Sequence, residues 1–590
     1  MDASRPQTSL PISLSSIGLL LVAMLLVAPG SRSQGLDAQI LCAKQPTCQF
    51  QQARGRPAEQ SLGERLFEET RFSRYFMQAS HGDMNARLRS GEPIVATELT
   101  DHGTSLPGPM RGQAMNCMQC HLGRQEQDVR GGGMRSFADF AVRSPIPPRS
   151  DDLIHGGFTP RNATNMAGDL LHGDVDPMLH WDGQFGSMQE LVANTLPGRV
   201  FGWLATEKAQ SYHLVAEVIR GDDGKDSLAR KFSAGISYAA LFGCSPRVPA
   251  GYRLPADDCL DLGSASDTDV ANAVAKVMAA YLNTLDYARD SSGQHDGSPY
   301  DQFLLQNHLP RSPAPGQAPS DYAASLLTSL QSLPAPRFVE TGHFKYHERR
   351  PFVFGPEELH GLITFLSKPT GGTITSQEAV HGGIGNCTSC HMPPEFSDFK
   401  MHNNGVAQAE YDSIHGQGSF AQLTVPTLDQ RTADPDAYLP VTGLHPDATE
   451  TFRMAPSAGA PGHTDLGVWN IFANPDFAGR QASLRKFLCA IDSGQFADCG
   501  SSDAALLDRS LAVFRTHTLR DLGDSDPYMH TGQFETLESV VRFYEATGTL
   551  ARAGQLRNGD PQMSNVALTD ADVADLTAFL ASLDEDYAGN

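Results

Sequence analysis

Two short stretches of this 590-residue chain carry chemistry in their spelling. "MNCMQCHLG" (115–123) sets Cys117, Cys120 and His121 in a C-x-x-C-H pattern, and "GNCTSCHMP" (385–393) repeats it with Cys387, Cys390 and His391. With ten Cys and 20 His in the whole chain, such a pattern would arise by chance about 0.006 times. Cysteines at i and i+3 lie one helical turn apart, so both sulfurs can form thioethers to the two vinyl groups on one haem edge. The histidine at i+4 then turns its imidazole onto the iron. A redox C-x-x-C needs no histidine there, and a zinc site built from both pairs would leave two histidines idle. The pattern therefore reads as two covalently bound haem c groups with His121 and His391 as proximal ligands, zinc or disulfides being the alternatives.

The elements that must hold these motifs are mostly helices. "SDTDVANAVAKVMAAYLNTL" opens with Ser266 as N-cap and Asp269 three residues on, then lines Val270, Val274, Val277, Met278, Tyr281, Leu282 and Leu285 along one face. "LTDADVADLTAFLASL" repeats the device, with Thr569 and Asp572 leading into Val573, Leu576, Phe579, Leu580 and Leu583. Alternating strand patterns are scarce, so the expected fold is mainly α: two cytochrome c-like haem domains with long loops and insertions. The Pro-rich "QNHLPRSPAPGQAPS" (306–320) reads as an irregular connection. With a boundary near residue 300, an N-terminal haem domain spans 34–300 and a C-terminal one 301–590, and the two halves share little beyond their C-x-x-C-H motifs.

Composition narrows the function classes. Hydrophobic residues make up 40% of the chain, enough for two or three packed domains. A net charge of −23 argues against a nucleic-acid partner, because phosphate would be repelled. Arg5 precedes the apolar run Ile17 to Ala28 and the small-residue stretch "PGSRSQG", which reads as a signal peptide over 1–33. The run is short for a membrane span, an uncleaved anchor being the alternative, and no later segment is apolar enough to cross. The expected location is periplasmic or secreted, where disulfides persist. The other six cysteines fall as close pairs, Cys42 with Cys48, Cys244 with Cys259 and Cys489 with Cys499, and proximity favours three local bridges.

Several longer stretches resemble the bacterial di-haem cytochrome c peroxidase and MauG family. They are "LGERLFEETRFSR" (62–74), "PRNATN" followed by "HWDGQFGSMQEL", "NCTSCHMPPEFSDFKMHNNGV", and above all "TLRDLGDSDPYMHTGQFETLESVVRFY" (518–544). The likeness runs in family order over about three quarters of the mature chain. Insertions break it near 75–112, 235–262, 309–352 and 406–500.

The resemblance implies one haem c in each half, the first peroxidatic and the second for electron transfer. It implies that H2O2 is reduced through a ferryl intermediate with electrons from a small donor protein, a cytochrome or cupredoxin, or from an organic substrate. Counting from Pro527, the position of the second haem's distal ligand falls on Tyr544, the MauG-like choice, with Met529, Met401 and His530 as rivals. An anionic phenolate would stabilise ferric iron more than a thioether would. His155 in "IHGGFTPRN" matches a loop histidine that caps the first iron, and Trp181 matches the tryptophan between the haems. Asn162, Ser525 and Pro527 match positions that hold a calcium ion, which suits hard oxygen donors.

One departure matters more. The family's peroxidatic glutamate, a general acid–base for peroxide cleavage, falls here on Phe201, with Glu190 and Glu207 as the nearest Glu residues. Either another acid serves or the pocket is apolar. An apolar pocket suits O2 chemistry, as in the rubber oxygenases. A di-haem electron carrier is the remaining alternative.

Overall fold

The computed structural model describes residues 57–86, 116, 117, 121, 160–164, 166, 167, 177–340, 352–493, 496–522 and 527–585, with the backbone of 100, 101, 104 and 105. The signal peptide, Cys42, Cys48, Cys120, His155 and Ser525 lie outside the described residues. The fold is mainly helical, as expected. In the N-terminal half α1 (Ala58–Phe67), α2 (Met188–Thr195), α3 (Lys208–Gly221) and α4 (Asp267–Leu282) enclose one apolar core. The C-terminal half contributes α5 (Pro356–Leu366), α6 (Val406–His415), α7 (Gln481–Ser493), α8 (Leu537–Arg552) and α9 (Asp570–Ala581). The described strands are two-residue pairs, such as Met401–His402 against Phe514–Arg515. The apolar face read from the sequence of α4 is buried, but the helix ends at Leu282, so Leu285 lies beyond it. Among the described residues no helix is long and apolar enough to cross a membrane.

The expectation that the halves share little else is overturned. Each half crosses an early helix against its last helix at a glycine. A Cβ on Gly63 of α1 would collide with the Val277 carbonyl oxygen and sit 2.6 Å from the Tyr281 Cβ. A Cβ on Gly361 of α5 would collide with the Asp575 carbonyl oxygen and sit 2.7 Å from the Phe579 Cβ. Four residues after each glycine stands a phenylalanine packed edge-on against the same partner helix. Phe67 meets Tyr281 with centroids 5.7 Å apart, and Phe365 meets Phe579 at 5.2 Å, both at an interplanar angle of 61°.

A second device repeats as well. "LHWDGQF" and "YMHTGQF" each close a tight loop, Leu179 bridging Phe185 and Tyr528 bridging Phe534. Positive φ recurs at matching places, His180 (64°) with Met529 (69°) and Gly183 (70°) with Gly532 (64°). Two residues after each phenylalanine a hydroxyl caps a helix: Ser187 starts α2 and Thr536 starts α8. Trp181 and His530 thus occupy equivalent positions. The halves grip each other reciprocally there, the Asn162 amide donating to the His530 carbonyl and the Arg515 amide to the Trp181 carbonyl, both at 2.8 Å.

The 406–500 insertion is no appendage. It supplies most of a third core, built on Phe420, Trp469, Leu484 and Phe487, against which Trp181 and Tyr544 pack. Asp465 from this insertion accepts two hydrogen bonds from the Arg161 guanidinium, at 2.5 and 2.8 Å, while Arg161 donates a third to Asp182 at 2.6 Å. Two of the three expected disulfides are formed, Cys244–Cys259 and Cys489–Cys499.

Candidate functional site

The first and last residues of both C-x-x-C-H motifs are tied by the same hydrogen bond. The His121 amide donates to the Cys117 carbonyl and the His391 amide to the Cys387 carbonyl, each at 2.8 Å. Residue i and its histidine at i+4 therefore share one side of the turn, as attachment at sulfur and ligation at nitrogen demand. Cys117 packs on the first core and Cys387 on the second. Cys117, Cys387 and Cys390 form no disulfide. Among the described residues the one grouping of three potential metal ligands is Cys489, Asp498 and Cys499, whose two sulfurs are bonded to each other. No described motif cysteine enters a zinc-like cluster.

The residues at the second motif fit a haem iron. His391 Nδ1 lies 2.8 Å from the Phe396 carbonyl oxygen, so Nδ1 carries the proton and Nε2 keeps its lone pair for a metal. Burial holds this imidazole down at about 4, in its neutral, ligating form. Phe396 is itself pinned by the rings of Tyr300, Phe365 and Phe579, at centroid distances of 5.3, 5.7 and 5.9 Å. Core packing thereby aims the carbonyl that orients the histidine.

Tyr544, on α8, accepts a hydrogen bond from Asn404 Nδ2 at 3.1 Å. Burial pushes its hydroxyl up to about 12; the Asn404 bond pulls the other way, and the Cys390 and Cys387 sulfurs are near enough to add to the rise. The structure thus brings Tyr544 to the second motif. Its rivals make other contacts. Met401 is buried, its methyl pressed beneath Gly183. Met529 packs on the third core, as Tyr544 does, and its backbone carbonyl accepts from Asn162 Nδ2 at 3.1 Å. His530 stacks on Phe514 with centroids 3.8 Å apart.

Trp181 sits where the halves meet. Its indole Nε1 donates to the Asn162 carbonyl at 3.0 Å, and its ring meets that of His517 edge-on, centroids 4.4 Å apart. His517 in turn stands close enough to His391 for its charge to depress that imidazole further. Asn162 Nδ2 donates to the Pro527 carbonyl at 2.6 Å, which joins two of the three expected calcium residues directly. The Asn162 Oδ1 is buried without a hydrogen-bond partner. Such an orphaned hard oxygen is the donor type a calcium ion takes, while the Pro527 carbonyl faces the other end of the same amide.

Phe201 is buried in the first core, on which Cys117 also packs. Each nearby glutamate accepts from a backbone amide, Glu207 from Leu204 at 2.9 Å and Glu190 from Gly186 at 2.8 Å. Sequence reading passed over Asn404, His517, Asp465 and His402. His402 lies between two carboxylates, Nδ1 at 2.6 Å from Asp560 and Nε2 at 3.0 Å from Asp398. Burial opposes protonation, while the Cys390 sulfur and these two acids raise its pKa well above the usual histidine range. The signal for it and for Asn404 was present in "MHNNGV", beside Met401.

A mainly helical fold that sets one C-x-x-C-H motif on each of two separate cores is the arrangement that two haem groups would need. No protein-family profile matches the chain. The cytochrome-c peroxidase IdrP2 of Pseudomonas sp. (strain SCT) is 29% identical over 219 residues, 36% of this chain and 41% of its own length. The methylamine utilization protein MauG of Methylophilus methylotrophus is 35% identical over 72 residues, 12% of this chain and 20% of its own. The diheme peroxidase BthA of Burkholderia thailandensis E264 covers 90% of this chain and 88% of its own at 18% identity, with a TM-score of 0.41. The chain is therefore similar to proteins named as cytochrome-c peroxidases and MauG, as its motifs indicated, and spans less than half the length of these curated relatives.

Proposed function

We propose that the chain is a di-haem c oxidoreductase, periplasmic or secreted after leader cleavage, that reduces H2O2 at the first centre with electrons relayed through the second. Haem c, stitched through Cys117 and Cys120 and through Cys387 and Cys390, would supply the redox-active iron and the open coordination position. Peroxide reduction takes two electrons, whereas a small cytochrome or cupredoxin donates one at a time, so two centres let the protein hold both equivalents. The chain's own residues do the rest. Phe396 holds the His391 proton on Nδ1, Tyr544 would help hold the second centre's iron, and Trp181 with His517 bridges the halves. His155 would cap the first iron. Asn162 Oδ1 and the Pro527 carbonyl, with Ser525, would hold calcium at the junction. An organic substrate is the alternative electron source.

The observation that carries this reading is the aromatic contact of Trp181 with His517, which joins the two halves. The test is peroxide turnover with a reduced cytochrome as donor, in the resting and half-reduced protein. Turnover above that of free haem supports the proposal, and none in either state rejects it.

The buried Phe201, with Glu190 and Glu207 both tied to backbone amides, favours a second reading in which O2 is the oxidant at an apolar pocket. Stable O2 binding at a ferrous centre, with no peroxide-driven oxidation, would select it. Two centres inert to cyanide and peroxide in every redox state would instead mark an electron carrier.

A further inference from the structure

We infer that Asn404 is a positioning residue for the second centre: its side-chain amide is a fixed hydrogen-bond donor to the Tyr544 oxygen that sets how strongly that oxygen donates to iron. The inference rests on the proposed Tyr544 ligation and names the group that tunes it.

The amide can point only one way. Asn404 Oδ1 accepts from the Val406 backbone amide at 3.1 Å, at the start of α6. That N–H requires an acceptor, so Oδ1 is committed to it and Nδ2 is left facing the Tyr544 hydroxyl at 3.1 Å. The loop carrying Asn404 is anchored on both sides. The preceding Asn403 donates to the carbonyls of Leu511, Arg557 and Asn558 at 3.3, 3.1 and 3.0 Å. Its Oδ1 accepts from the Gly405 amide at 2.9 Å. Gly405 has φ of 91°, and a Cβ there would lie 3.0 Å from Thr547 Cγ2 and 2.7 Å from Leu556 Cδ1. Thr547 is on α8, three residues beyond Tyr544. Glycine at 405 thus lets the loop press onto the helix that carries the tyrosine, and the spacing between amide and phenol is set by packing rather than by a free side chain.

Tyr544 would hold ferric haem iron as the phenolate, its proton passing to solvent, with the Asn404 N–H still donated to the same oxygen. A donor of this kind draws electron density from the phenolate. It weakens the stabilisation of ferric iron and raises the energy of phenolate-to-iron charge transfer. Removing it should do the reverse.

The test compares Asn404→Leu, Asn404→Asp, Tyr544→Phe and the double variant Asn404→Leu/Tyr544→Phe in the haem-loaded full chain. Readouts are the midpoint potential of the second centre, its charge-transfer band and its ferric EPR signal, with thermal stability as a control. Asn404→Asp keeps an acceptor for Val406 but adds a negative charge beside the phenol oxygen, so it serves only as the control, read by thermal stability, that the loop folds. Asn404→Leu should lower the potential and move the band to lower energy, and the shift should vanish in the Tyr544→Phe background. If Tyr544→Phe changes the signal but Asn404→Leu does not, the inference about Asn404 is overturned while the ligation stands. An equal shift in both backgrounds also overturns it, since the amide would then act only through the fold. No change on Tyr544→Phe overturns the ligation itself, and the inference with it.

Discussion

Trp181 and His517 meet edge to face, their ring centroids 4.4 Å apart and their planes at 69°. Each belongs to a different half of the chain. An indole has one of the lowest oxidation potentials among side chains, so under the proposed function this contact would be the bridge for charge between the centres. Trp181→Phe removes the Nε1 bond to the Asn162 carbonyl as well as the indole. We expect a loss of about 1 kcal/mol in stability and a fall of about tenfold or more in intercentre electron transfer, equivalent to about 1.4 kcal/mol in the barrier. His517→Ala should slow the same step and cost about 1 kcal/mol of ring contact. Stopped-flow reduction of the first centre from the second is the check, and unchanged rates in both variants would remove the bridge.

The paired helix crossings make a prediction about stability alone. Gly63→Val and Gly361→Val each force a side chain against a partner carbonyl, and each should destabilise by about 3 kcal/mol through overpacking. Because the two glycines serve different cores, their effects should add in the double variant. Chemical denaturation measures this, and near-neutral substitutions would contradict the close approach.

The Arg161–Asp465 pair ties the insertion to the junction and gives it a pH dependence. Asp465 is buried, which opposes ionisation, but Arg161 more than offsets this and holds the carboxyl down at about 2, against an ordinary 3.8. A depressed acid stabilises the fold above its unfolded pKa and loses that contribution as pH falls. About 2 kcal/mol should therefore be present above pH 4 and disappear on acidification toward pH 2. Asp465→Asn should lower the melting temperature at pH 7 and flatten its decline between pH 4 and 2. A variant whose melting curve parallels that of the parent across this range would refute the linkage.

Phe201→Glu places a carboxylate where peroxide chemistry calls for a general acid–base. Such groups contribute about 100-fold or more to proton transfer, so peroxide turnover should rise by about tenfold or more even with imperfect placement. Turnover that falls or stays constant would detach Phe201 from the oxidant pocket.

The haem motifs, the helical class and two of the disulfides were legible in the sequence because each depends on local spacing: C-x-x-C-H on one turn, α4 and α9 on apolar periodicity and capping, Cys244–Cys259 and Cys489–Cys499 on proximity. The repeat between halves was not, since it survives only as Gly63/Phe67 against Gly361/Phe365 and as two G-Q-F loops, too few letters to stand out across 300 residues. Asn404 and His517 were hidden for another reason. Their partners, Tyr544 and Trp181, are 140 and 336 positions away, and only the packed loop at Gly405 and the reciprocal Asn162 and Arg515 contacts bring them together. The insertion carrying Asp465 had no role legible in the sequence because it interrupts the family likeness, yet its apolar residues supply most of the third core beneath the junction.

The central claim is that two porphyrins are bound through sulfur, one at each C-x-x-C-H turn. Intact-mass spectrometry of the denatured, matured protein, paired with its pyridine haemochrome spectrum, measures this directly. Two haem masses should remain attached per chain, falling to one in Cys387→Ala/Cys390→Ala. A denatured chain that has shed its haem, or that retains a single one, would contradict the account.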